Sequence, residues 1–254
     1  MPLSKNTIKY LRSLHLKKFR QNYANFIIEG DKMAREILET DALELEGIYA
    51  LAPWIATNAQ ALRRFDDRVF KLSLTELEQI SLLTTPNQAL VVVRNPDFKP
   101  DIAQLAQGLS LYLDGIQDPG NAGAILRIAD WFGIRQVLFA PGSIEIYHPK
   151  LVQASMGAIL RVNCAEAPLE SLVSKLPANF PVYGAAMEGE SIYTAPLTQQ
   201  GILVIGNEGN GISEAAQQLL TRRITIPADP AGGAESLNAA IAAGIICAFF
   251  RKTT

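Results

Sequence analysis

Between residues 202 and 239 the chain sets polar side chains into two glycine-containing loops, each lying between an apolar run and a helix signal. The first reads Ile205-Gly206-Asn207-Glu208-Gly209-Asn210-Gly211-Ile212-Ser213. The second runs from Ile226-Pro227 through Gly232-Gly233 to Glu235-Ser236-Leu237-Asn238. Glycines let a backbone approach a ligand closely and leave its N–H groups free to bind it, which suits a nucleotide-like molecule. The order Gly206-x-x-Gly209-x-Gly211 is not the Gly-x-Gly-x-x-Gly of dinucleotide sites, and no acidic residue closes a following strand as a ribose partner would. An ordinary dinucleotide site is therefore disfavoured. Two residues have a local reason to look for an outside partner: Glu208, directly after a buried run, and Asn238, just inside a helix where asparagine is unfavourable.

The elements that position these loops follow from periodicity. Residues 202–206 form a strand and Ser213 is an N-cap; residues 223–227 form a second strand, and Ser236 opens an alanine-rich helix running towards Phe249. Both loops then face the same end of a sheet. Upstream, a strand at 109–113 leads through a loop to Asn121, which can cap a helix carrying Arg127, Asp130 and Trp131. Strands are expected at 136–140, 161–164 and 182–186, with helices near 153 and over 169–176. Such alternation specifies an α/β fold with a mostly parallel sheet covered on both faces. Ahead of it lies a smaller α/β unit: one helix over 5–20, strands at 25–29, 47–52, 69–72 and 89–93, and helices at 32–38, after Thr57 and from Thr75. Asn95-Pro96-Asp97-Phe98-Lys99-Pro100 is the best boundary, so domains are expected at 1–95 and 107–254 with a linker at 96–106.

At 254 residues, 48% hydrophobic and 19% charged, the chain can bury a core of one or two domains. Cys164 and Cys247 stand far apart, as do His15 and His148, which argues against a structural zinc and a disulfide framework. No metal is expected. The N-terminus has no apolar signal core, and no apolar run reaches the roughly 18 residues of a membrane span, so a cytoplasmic protein without membrane contact is expected. A net charge of −2 does not advertise a nucleic-acid binder. Its distribution says more, because Lys5, Lys9, Arg12, Lys17, Lys18, Arg20 and Lys32 precede Ala34 against only Glu29 and Asp31, with Tyr10, Phe19 and Tyr23 among them. A solvated helix face is the commoner fate of such charge; RNA is the alternative.

Three motifs together resemble the SpoU branch of the SPOUT RNA methyltransferases: Asp118-Pro119-Gly120-Asn121-Ala122-Gly123-Ala124-Ile125-Leu126-Arg127, Gly206-Asn207-Glu208-Gly209-Asn210-Gly211-Ile212-Ser213, and Ile226-Pro227 followed by Glu235-Ser236-Leu237-Asn238. One departure is a loop between Pro227 and Ser236 about two residues longer than the family pattern. The resemblance implies methylation of ribose 2′-hydroxyls with S-adenosylmethionine, and a deep trefoil knot over roughly residues 203–250, although knots are rare among folds at large. Phe26-Ile27-Ile28-Glu29-Gly30 adds a resemblance to the small ribosomal-protein-like substrate-binding domain of rRNA-directed members. The substrate implied is therefore ribosomal RNA, 23S foremost, with transfer RNA as one alternative and a non-enzymatic RNA-binding or ribosome-assembly factor as another.

The same resemblance assigns roles. Arg127 is the residue proposed to activate the 2′-hydroxyl, Asn121 and Glu208 help place the RNA, and Ser236 and Asn238 complete the site. Gly206, Asn207, Gly211, Ile226 and Leu237 match cofactor-holding positions. An arginine with a pKa above 12 is a poor base, so a cation stabilising the developing alkoxide or gripping a phosphate suits Arg127 better, with Glu208 the rival proton acceptor. The bland readings are an Arg127–Asp130 pair one turn apart, plain helix caps at Asn121 and Ser236, and core packing for Ile226 and Leu237. A homodimer is also expected. The helix from Ser236 is apolar almost all round, and family members pair through this helix and the first-motif helix.

Overall fold

The computed structural model describes residues 2–252. It divides into two compact units: the first runs to Asp97 and takes up Tyr147–Gly157, and the second holds Phe98–Ile146 and the chain from Ala158 onward. In chain order the elements are α1 (Lys5–Ser13), α2 (Lys17–Tyr23), β1 (Asn25–Glu29), α3 (Asp31–Leu38), β2 (Leu45–Leu51), α4 (Ala52–Thr57), α5 (Ala59–Leu62), β3 (Val69–Leu72), α6 (Leu74–Ile80) and β4 (Ala89–Arg94). They continue with α7 (Ile102–Gln107), β5 (Leu109–Asp114), α8 (Pro119–Trp131), β6 (Gln136–Phe139), α9 (Pro149–Ala154), β7 (Asn163–Glu166), α10 (Leu169–Val173), β8 (Val182–Ser191), β9 (Gly201–Gly206), α11 (Glu214–Gln217), β10 (Arg222–Thr225) and α12 (Ala239–Lys252). The stretch expected as a linker carries α7, which Asp101 caps by accepting the Gln104 N–H at 3.0 Å.

In the first unit the sheet order is β1-β4-β2-β3, with β4 antiparallel to both its neighbours and β2 parallel to β3. All five residues of β1 are buried, so the sheet is covered on both faces along that strand, while β3 at the other edge exposes Phe70 and Lys71. Leu11, Leu14, Leu77 and Ile80 from the helices meet Ile27, Tyr49, Leu72, Leu90 and Val92 in its core. The single helix expected over 5–20 is instead two. In a continuous helix the Leu14 carbonyl would accept from residue 18, but the buried Arg20 guanidinium donates to it at 2.9 Å, so α1 stops and α2 starts anew. Tyr147, ahead of α9, stacks on Phe26 of β1 with ring centroids 4.4 Å apart.

The second unit is a six-stranded sheet, every neighbouring pair parallel, in the order β10-β8-β9-β5-β6-β7. Near-continuous apolar runs such as Leu203-Val204-Ile205 are what a parallel sheet buried on both faces requires. The chain moves outward from β5 through β6 to β7, then crosses to the other side for β8, β9 and β10. The order therefore reverses between β5 and β9, whose ends pair Asp114 with Gly206. The strand expected at 161–164 lies at Asn163–Glu166. β8 runs to Ser191 rather than 186, because Ile224 and Thr225 of β10 pair with Glu190 and Ser191 after a bulge.

Candidate active site

The first loop begins where β9 meets Gly206. A Cβ on Gly206 would lie 2.3 Å from the Gly211 carbonyl carbon and 2.4 Å from the Ile212 nitrogen, so only glycine lets the loop fold back this closely. Asn207 and Gly211 exchange two backbone hydrogen bonds of 2.9 Å, and Gly211 makes the return with φ +67°. The Asn207 side chain pins the loop from within: its Oδ1 accepts the N–H groups of Gly209 and Asn210 at 2.9 and 3.0 Å, and its Nδ2 donates to the Gly115 carbonyl at 2.9 Å. Asp114, a buried carboxylate ending β5, accepts the Ser213 N–H at 2.7 Å, while the Ser213 hydroxyl caps α11 as expected. Sequence reading missed Asp114 as an anchor, though a charged residue closing a buried strand was a visible signal.

Asn121 does not cap α8. Asp118 does, accepting the Asn121 N–H at 2.7 Å with Pro119 in the first turn, and this leaves the Asn121 amide free. Its Nδ2 donates to Glu208 Oε1 at 2.6 Å and its Oδ1 accepts from Asn238 Nδ2 at 2.8 Å. Asn238 in turn accepts the N–H groups of Ala240 and Ile241 at 3.0 and 3.2 Å, so it, and not Ser236, caps α12. Three loops thus meet in one chain of polar groups, Asn238 to Asn121 to Glu208. The last link is a charge-assisted bond, which fixes the carboxylate and leaves its other oxygen open to accept a proton.

Arg127 stands apart from that chain. It is exposed and makes no hydrogen bond or ion pair among the described residues; Asp130, its expected partner, is instead gripped by Arg161, whose Nε and Nη2 lie 3.0 and 2.9 Å from Asp130 Oδ2. Six residues of helix put Arg127 about 120° round α8 from Asn121. It shares a face with Trp131 four residues on, which is 84% exposed.

Beside the loops lies a cleft of about 630 Å³. Gly206, Asn207, Glu208 and Gly211 line one side, Ile226 the end of β10, and Ser236 and Leu237 the approach to α12. Ala185, Ile205, Ile212, Ala242 and Ile246 make much of the rest apolar. Gln217 and Arg223, joined by a 2.7 Å hydrogen bond, also line it and carried no signal in the sequence. The size and the mixture of apolar walls with backbone donors fit a nucleoside-bearing small molecule. Both cysteines are buried, which pushes the Cys247 thiol up to about 12 and Cys164 higher still, so neither offers a thiolate. Among the described residues no cluster of His, Cys, Asp and Glu could hold a metal ion.

The sequence pattern of the SpoU rRNA Methylase family matches residues 108–248, and that of the MRM3-like substrate binding domain matches residues 5–91. The chain is 28% identical over 241 residues to the 23S rRNA (guanosine(2553)-2′-O)-methyltransferase RlmP of Bacillus subtilis, covering 94% of this chain and 93% of that protein. Among solved structures, a TrmH-family protein from Porphyromonas gingivalis superimposes with a TM-score of 0.88 at 38% identity over the full length of both chains. The SpoU methyltransferase AviRb of Streptomyces viridochromogenes, at 22% identity and 98% coverage of each chain, shares the fold with a TM-score of 0.81.

Proposed function

The chain belongs to the SpoU rRNA methylase family, and from that premise we propose that it transfers a methyl group from S-adenosylmethionine to a ribose 2′-hydroxyl of ribosomal RNA, 23S rRNA being the target. The observation that carries this reading is the cleft at the ends of β8, β9 and β10, walled by the two glycine-containing loops and α12, with a hydrogen-bonded carboxylate at its edge. When bound, the cofactor supplies an electrophilic sulfonium methyl. Gly206, Asn207, Gly211, Ile226 and Leu237 would hold it; the tight return at Gly206 keeps side chains out of the floor, and Ile226 and Leu237 give the adenine apolar cover.

The rest of the chemistry falls to this chain's residues, which must align the 2′-oxygen with the methyl and take its proton. Glu208, held by Asn121, accepts the proton. Asn238 fixes Asn121 and ties it to the start of α12, so a shift in either loop would misplace the carboxylate. Ser236 lines the same cleft and orients the ribose. Arg127, a permanent cation, grips the neighbouring phosphate or the developing alkoxide.

Since Arg127 lies on the Trp131 face of α8, away from Asn121, it serves the site of a second copy. We infer a homodimer from this placement and from α12, where Ile241, 56% exposed, half-buried Ile245 and exposed Ala248 fall on one face. The deep trefoil knot over residues 203–250 and a cytoplasmic site of action belong to the same proposal; no helix among the described residues is long and apolar enough to cross a membrane. Ribose-methylation mapping of rRNA and tRNA from a deletion strain tests the substrate. Loss of one 23S mark is expected, and loss of a tRNA mark alone would overturn the assignment.

A further inference from the structure

We propose that the second unit carries a further binding site, a polar cavity at the opposite end of its sheet from the cofactor cleft, which takes the phosphate of a small phosphomonoester. β9 runs from Gly201, paired with Leu109 of β5, to Gly206, where the cleft lies. The cavity, of about 450 Å³, opens at the other end, beside Leu109, Ser110 and Gln199. Roughly 16 Å of strand separates the two, so each can be filled without the other. The cavity uses no residue assigned to methyl transfer.

Its walls are fixed by the fold. Gln136, 1% exposed at the start of β6, accepts the Asp101 N–H through Oε1 at 2.9 Å and donates from Nε2 to the Asp101 carbonyl at 3.0 Å, which clamps the chain ahead of α7 to the sheet. Arg251 is held as well: its Nη2 donates to the Phe132 carbonyl and lies 3.4 Å from where a Cβ on Gly133 would stand. Ser110, 2% exposed, lines the cavity, and its hydroxyl makes no hydrogen bond among the described residues. A buried hydroxyl without a partner is costly, and one that faces a cavity marks where a ligand atom completes the bond. Leu111 pairs with Val137, so Gln136 lies beside Ser110 and Arg135 one step before it on the same side of the sheet's edge. The Arg135 side chain is exposed, lines the cavity and has no hydrogen bond or ion pair among the described residues.

These groups select the ligand. Arg135 and Arg251 stand against one lining carboxylate, Asp101, which is engaged in capping α7 through the Gln104 N–H, so the lining carries a net positive charge. A phosphate offers three terminal oxygens, two for the Arg135 fork and one for the Ser110 hydroxyl, whereas a carboxylate runs out at two. The volume exceeds what a phosphate alone would fill. Gln104, Gln107 and Gln199 line the remainder with amides that both donate and accept, the complement of hydroxyl groups such as those of a sugar.

The test is titration calorimetry of the full-length protein, at constant ionic strength, with inorganic phosphate and separately with ribose 5-phosphate. Ribose 5-phosphate should bind the tighter of the two; equal affinities would overturn the phosphomonoester in favour of the free anion. Arg135→Ala and Ser110→Ala should each weaken binding roughly 10- to 100-fold, the range spanned by a hydrogen bond to a charged group. Arg63→Ala, which removes an exposed guanidinium of the first unit, should bind like the unaltered protein. Unaltered affinity in Arg135→Ala would overturn the proposal, as would a loss in that variant that Ser110→Ala does not share, because the attraction would then be diffuse charge and not a built site. Saturating S-adenosylmethionine should leave both affinities unchanged, and competition would place the phosphate in the cleft and contradict the assignment. Methyl transfer to rRNA is read separately, so its failure would remove the enzymatic reading and leave this site standing.

Discussion

Replacing Gly206 by alanine is the sharpest perturbation the cleft allows. The new Cβ would lie 2.3 Å from the Gly211 carbonyl carbon, whereas ordinary contact begins at 3.4 Å, so the return limb of the loop must move by about 1 Å. What stands in the way is backbone and not the end of a flexible side chain. Moving it breaks the paired Asn207–Gly211 hydrogen bonds and drags Glu208 and Ile212 with it. Overpacking of this kind costs about 2 kcal/mol, and the lost hydrogen bonds about 1 kcal/mol more, which together lower cofactor affinity about 100-fold. Gly209→Ala is the matched control, because its Cβ would meet nothing closer than 3.6 Å and its backbone needs no left-handed φ. Titration calorimetry with S-adenosylmethionine on both variants, with circular dichroism to confirm the fold, makes the comparison. Equal affinities for the two variants would refute the view that this backbone return forms the cofactor floor.

Arg127→Ala should abolish methyl transfer while leaving S-adenosylmethionine affinity nearly intact in calorimetry, and Arg127→Lys should restore little, since one ammonium cannot replace a planar fork on a phosphate. Asn121→Asp would set a second carboxylate against Glu208, so the acid limb of the kcat profile should move to higher pH; an unchanged profile would remove Glu208 as the proton acceptor. If the proposed homodimer forms through α8, Trp131→Glu should give a monomer by light scattering where the unaltered protein gives a dimer, and should cost activity, because Arg127 sits on the same face of α8. Burial raises the pKa of Glu29 above its ordinary 4.5 despite hydrogen bonds from Ser81 and Leu82. The folded state then holds that proton more tightly than the unfolded chain, so stability falls as pH rises from about 4.5 through the raised value. Thermal melts across that window should show a steeper decline for the natural protein than for Glu29→Gln.

Most of the scaffold was legible because its signals are local. β1 and β3 lie where apolar, β-branched runs between turn residues put them, and the glycine loops mark the ends of β9 and β10. What escaped depends on distant partners. Asn121 and Ser236 read as caps because each stands near a helix start, yet Asp118 and Asn238 do the capping, and the choice at Asn238 is coupled to Asn121, 117 residues away. Nothing between Lys5 and Arg20 contains a proline or glycine to mark the break; a buried arginine competing for one carbonyl made it. The extra length of β8 comes from β10, more than thirty residues later. The pairing of Asp130 with Arg161 was equally invisible, and it is what leaves Arg127 without a partner on its own helix.

The most direct test of the central claim is a single reaction of purified protein, S-adenosylmethionine and 23S rRNA, read by partial alkaline cleavage. A ribose 2′-hydroxyl is the nucleophile of that cleavage, so methylation at the oxygen leaves one phosphodiester resistant. One newly protected position is expected, absent when S-adenosylmethionine is omitted and absent with Arg127→Ala. Methyl incorporation with no protected phosphodiester, which places the group on a base, or no incorporation into rRNA at all, would contradict it.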